Sequence, residues 1–150
     1  PELQYPVDIV VETEEGSSDT IFDSEKGLQK TFLAGVDITS DIYGIEGKRK
    51  YNKLKNTFKK KYPSSSYKHS SFEWIGRELY KDRDEFYECL RYEGCGSWSI
   101  YVTGNGAVTV ELNGSSRGTG YISLAHESPE WPDIMGEAQS RKDKSDMDSL

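Results

Sequence analysis

The dipeptide Asn105-Gly106, set between two runs of strand-forming residues, constrains this chain more than any other feature. Asn-Gly accepts the positive φ angles of a tight hairpin turn, which most residues resist. Ser97 to Val102 enters the turn and Ala107 to Leu112 leaves it, so the two runs pair as antiparallel strands. A second turn over Asn113 to Gly118 leads into Tyr121 to His126, a further strand. Upstream, Phe86 to Tyr92 is aromatic-rich and reads as an extended segment of the same sheet.

The spacing changes toward the N-terminus. Tyr51, Leu54, Phe58 and Tyr62 fall on one stripe at helical spacing, with Lys48, Lys55 and Lys59 directed elsewhere. This predicts a helix from about Gly47 to Tyr62, stopped by Pro63 and followed by a Ser64-Ser65-Ser66 loop. A helix packed on a consecutive antiparallel sheet is an α+β architecture. Further upstream, Val7, Ile9 and Val11 alternate with Asp8 and Glu12, which reads as a strand. Glu12 to Ser18 is an acidic loop, and a short strand at Thr31 to Ala34 completes an N-terminal hairpin. From Asp133 the chain is polar without periodicity and reads as a frayed tail. The expected division is one domain over 1–132, with an extension 1–46 and a core 47–128, and a flexible tail 133–150.

A chain of 150 residues can bury a core without staples. Ten Tyr, five Phe and three Trp supply the aromatic surface for one. No apolar run approaches the ~18 residues of a membrane span, so a soluble chain with no membrane partner is expected. Pro1 at the start reads as a processed mature chain. The net charge of −7 opposes non-specific nucleic-acid binding. The average conceals an asymmetry: eight Lys or Arg lie between Lys48 and Lys61, and no acid follows until Glu73. That run is either a basic surface on an acidic body or a solvated helix face. Cys89 and Cys95 are spaced for a small local disulfide across a hairpin, which permits an oxidising compartment without establishing one. No His stands at metal-ligand spacing from them, so no metal is expected.

The chain has two histidines, His69 and His126. On an extended strand His69 shares a face with Tyr67, and His126 ends a strand whose Ile122 and Leu124 share its face. Glu88 sits inside an aromatic run. Singly, each reads as well as an ordinary surface residue. Together they supply the base and the acid that attack of an RNA 2′-hydroxyl on its phosphodiester requires.

Four stretches in order resemble the guanyl-specific fungal ribonucleases and sarcin-type ribotoxins. Ser66-Tyr67-Lys68-His69, followed by Phe72 and Trp74, resembles the family's Ser-Tyr-Pro-His segment. Phe86-Tyr87-Glu88 is similar to its aromatic-aromatic-Glu strand. Gly106 to Asn113 resembles the strand that carries its phosphate-binding Arg, and Gly120 to His126 resembles its closing strand. The likeness spans about Lys48 to Ser128. It implies that Tyr67 bonds the phosphate, Glu88 is the general base, His69 assists it and His126 is the general acid. The implied activity is that of a secreted endoribonuclease, free of cofactor, acting as a monomer on single-stranded RNA through a 2′,3′-cyclic phosphate. Phe72, Glu73 and Trp74 offer stacking and a carboxylate for a purine, or else belong to the core.

The departures are specific. Thr109 stands where the family has its Arg, a change on the scale of about 3 kcal/mol of transition-state stabilisation. Arg117 is the candidate substitute, since Arg91 on a strand would face away from Glu88. Lys68 replaces the family's Pro, and a Cys89–Cys95 loop would not tie terminal segments together as the family's disulfides do. Thr109 in place of Arg, the acidic charge and the extra N-terminal segment favour a second expectation, a catalytically impaired ribonuclease-like fungal effector that binds a host protein, an immune receptor or RNA. A third is a ribotoxin acting on the ribosome.

Overall fold

The computed structural model describes residues 17–23, 26–62, 66–72, 75 and 78–149. Among the described residues, six strands form one sheet in the order β1-β2-β6-β5-β4-β3, with every neighbouring pair antiparallel. They are β1 (Ser17–Asp23), β2 (Gly27–Ala34), β3 (Ser66–Phe72), β4 (Ser97–Gly104), β5 (Gly106–Ser116) and β6 (Thr119–Glu127). The helices are α1 (Ile45–Lys61), α2 (Phe86–Leu90) and α3 (Trp131–Asp148). The architecture is α+β, as the alternation and the single apolar stripe predict.

The turn at Asn105 joins β4 to β5 with Gly104 opposite Gly106, and Gly106 takes φ 97°. Strand parity then divides the sheet. Ile100 and Val102 on β4 face the same way as Val108, Val110 and Leu112 on β5, and all five are buried. Tyr51 and Phe58 of α1 and Phe86 and Tyr87 of α2 close over them as one core, with Leu54 and Tyr62 at its margin. The stripe read from the sequence is therefore the packing face of α1.

Asp41 fixes how α1 enters. Its Oδ1 accepts the Glu46 amide at 3.1 Å, and its Oδ2 accepts the Gly47 amide at 2.9 Å and the Tyr87 hydroxyl at 2.7 Å. One carboxylate thus satisfies two open amides of the first helical turn and binds α1 to α2. Burial opposes ionisation of Asp41, but the bonds from Tyr87, Gly47, Glu46 and Ile45 outweigh it and hold its pKa low. Tyr87 is also why β5 and β6 carry Gly114 and Gly120, where any β-carbon would collide with it.

Three segments differ from expectation. Phe86 to Tyr92 is not a strand: α2 follows a turn of 3₁₀-helix at Arg83–Glu85 and buries Phe86, Tyr87 and Cys89 together. Adjacent buried aromatics suit a single helical turn pressed end-on into a core as well as they suit a strand. Cys89 and Cys95 are bonded to each other, as their spacing predicts, but across the end of α2 rather than a hairpin. The expected frayed tail is instead α3, an 18-residue helix with Pro132 in its first turn and no buried residue. The N-terminal hairpin pairs β2 with β1, so Ser17 and Ser18 are strand rather than loop. The strand expected at Val7 to Val11 and the stop at Pro63 lie outside the described residues. Residues Lys30 to Ala34 of β2 bond to β6, which makes the N-terminal hairpin part of the main sheet.

Candidate functional site

Register places the expected catalytic residues. His126 pairs with Val108, and Val108 with Val102, which pairs with Tyr67. His69 lies one row along, opposite Ile100. By backbone parity, positions 67, 69 and 126 all belong to the face that α1 and α2 cover. Tyr67 and His126 share a row but stand three strand spacings apart, about 14 Å. The buried side chains of Val102 and Val108 lie between them. His126 is 5 % exposed. Burial depresses its pKa from the ordinary 6.5, against a smaller opposing pull from Glu127. A buried neutral imidazole on the core side of a sheet is packed as a structural residue is.

Glu88 is elsewhere. It lies on α2, where Tyr87 presses against Gly114. Gly114 is six residues along β5 from the partner of His126, a distance of about 20 Å. Glu88 also pairs with Arg91 at 3.2 Å, one helical turn on, so the opposite-face placement expected for Arg91 does not hold. Register therefore puts positions 67, 69 and 126 on one face of the sheet and leaves Glu88 at the far end of β5. Arg117, the expected substitute cation, lies in the β5–β6 turn and bridges Asp84 and Glu85. Phe72 ends β3 opposite Ser97. Glu73 and Trp74 lie outside the described residues.

Thr109 has the other parity. It pairs with Tyr101 and Ala125, and these continue to Lys68 on one side and Phe32 on the other. This row crosses five strands as cation, aromatic, hydroxyl, methyl and aromatic. Lys68 is exposed, Tyr101 is 36 % exposed and Phe32 is 38 % exposed. The next row carries Ser99, Glu111 and Ser123, and Asn113 beyond it donates to the Ser123 hydroxyl at 2.8 Å. The core-forming parts of α1 and α2 lie on the opposite side. At one margin Lys30 pairs with Glu127 at 3.0 Å and sits 5.1 Å from the ring of Trp131 at the start of α3. Two aromatics about 14 Å apart in a row with a lysine form a surface able to stack planar groups and hold an anion.

No single residue marks this open face, yet its signal is in the sequence. Ser99, Tyr101, Thr109, Glu111, Asn113 and Ser123 are the polar phase of strands whose other phase is apolar. Among the described residues no group of three or more His, Cys, Asp or Glu is arranged to hold a metal ion, and no helix is long and apolar enough to cross a membrane. No protein-family model, curated protein or solved structure matches the chain.

Proposed function

We propose that this chain is a ribonuclease-like binding protein that holds single-stranded RNA across the open face of its sheet without cleaving it. The observation that carries the reading is the position of His126, buried in the core face about 20 Å along the sheet from the Glu88 end. General acid–base cleavage needs both groups within hydrogen-bond reach of one phosphodiester. The open face supports binding instead. Tyr101 and Phe32 offer rings for two bases, Lys68 offers a charge for phosphate, and Ser99, Thr109 and Asn113 offer adaptable hydrogen bonds. Thr109, in place of the family's Arg, suits a ligand that is held rather than cut.

A host protein is the second reading. Ile42, Tyr43 and Ile45 are exposed beside the start of α1, an apolar cluster of the kind protein partners cover. Secretion and delivery into a host cell accompany both readings in the effector expectation, and the Cys89–Cys95 disulfide supports them.

The test is to incubate the chain with a single-stranded RNA containing all four bases and follow both binding and integrity. The expected result is a retarded complex from which full-length RNA is recovered. Fragments ending in 2′,3′-cyclic phosphate would restore the nuclease reading.

A further inference from the structure

The largest charge asymmetry in the molecule lies on α1. This helix holds eight of the chain's 19 Lys and Arg and one of its 26 Asp and Glu. That acid, Glu46, pairs with Arg49 at 2.6 Å and stands 4.0 Å from Lys50. Lys48 and Lys55 lie over the rings of Phe86 and Tyr51. Lys53, Lys59, Lys60 and Lys61 are exposed, and no carboxylate among the described residues lies within 4.0 Å of them.

Helix stability accounts for part of this pattern. Lys59, Lys60 and Lys61 complement the negative end of the helix dipole. The pairs Arg49–Lys53 and Lys55–Lys59, one turn apart, are like-charged and oppose it. Lys53, in the middle of the helix, gains nothing from the dipole. The remainder of the chain is strongly acidic, so a polyanion is drawn to α1 and repelled from most other surfaces.

We infer that the exposed lysines of α1 anchor the phosphate backbone of the RNA where the strand leaves the open face over the β3 edge. This rests on the RNA-binding reading above and adds the path and the charge. β3 is the terminal strand of the sheet. Ser66, its first residue, follows Lys61 by five residues, which span at most about 17 Å. Lys68 stands on the open-face row of the same strand. A strand stacked on Tyr101 passes Lys68 at the edge and turns round β3 to the other side of the sheet, where α1 packs over β4, β5 and β6, to reach these lysines. Such contacts position a strand without reading its sequence.

The experiment is fluorescence anisotropy on the full chain, with labelled oligouridines of about four and about twelve nucleotides, over a KCl series. The variant combines Lys53→Gln, Lys59→Gln, Lys60→Gln and Lys61→Gln, and the control combines Lys142→Gln and Lys144→Gln on α3. A thermal melt checks that each is folded. For the longer RNA the α1 variant is expected to lower the slope of log affinity against log salt by about 3, at roughly 0.7 per lost contact. The short RNA and the α3 control are expected to show no such change. An unchanged slope and affinity in the folded α1 variant would overturn the anchor and leave open-face binding standing. Failure of the unsubstituted chain to bind either RNA at any salt would overturn both.

Discussion

Neighbouring residues of the same strand meet opposite surroundings in this sheet. On β4, Ile100 is fully enclosed by α1 and α2, while Tyr101 keeps 36 % of its surface. On β5, Val110 is enclosed and Glu111 exposed. The core face gains its free energy by removing apolar surface from water. The open face gains less: Tyr101, Glu111 and Lys68 stay exposed there, Thr109 and Asn113 are half-buried, and Ser123 is buried and bonded to Asn113. A residue type capable of chemistry therefore means different things on the two sides. His126 on the core face is read first as packing, and Thr109 on the open face first as contact.

The contrast breaks most visibly by truncation. Phe58→Ala on the core side is expected to cost about 3–5 kcal/mol in urea denaturation. Tyr101→Ala on the open side is expected to stay within about 0.5 kcal/mol of the parent. Equal losses would mean that the second face is covered too. In RNA binding the order reverses: Tyr101→Ala is expected to lose about 1–3 kcal/mol of affinity, the scale of one stacked base.

Asp41→Asn sharpens the core side, because it leaves helix amides and the Tyr87 hydroxyl with a weaker acceptor. The expected cost is about 1–3 kcal/mol. The native carboxyl is held below its ordinary 3.8, so its contribution is present above that value. It is lost as pH falls through the lower native value, and the variant should show a shallower acid limb in a pH series of denaturation midpoints.

His126 gives a smaller effect with a related sign. Its native pKa lies below 6.5, so on acidification the unfolded chain takes up this proton first. Stability should decline as pH falls below 6.5 and level off once the native group also protonates. His126→Gln should remove that step. A histidine serving as an exposed acid would give no such signature. The smallest expected change is Thr109→Arg, which should steepen the salt slope of RNA binding by about 0.7 and produce no cleavage.

Much of this plan is legible in the sequence, for identifiable reasons. The β4–β5 hairpin follows from Asn105-Gly106, and α1 from the spacing of Tyr51, Phe58 and Tyr62. α2 is not legible, because five residues with two aromatics and a cysteine carry no periodicity, and its helix depends on Asp41, distant in sequence, gripping Tyr87. α3 is missed because it buries nothing, so no apolar stripe announces it. The face of His126 was readable from Ile122 and Leu124, which share its phase and its burial side. The position of Glu88 was not, since it depends on α2.

The disulfide at the end of α2 closes a loop of only a few residues, with Cys89 and Cys95 six apart. By the chain-entropy account such a short loop contributes about 2 kcal/mol. Opening it with a reductant releases one corner beside β4 and touches none of the interstrand ladders. A bond so local constrains only the turn between α2 and β4, two residues from Tyr87, and leaves the strand order to the hydrogen-bonded ladders.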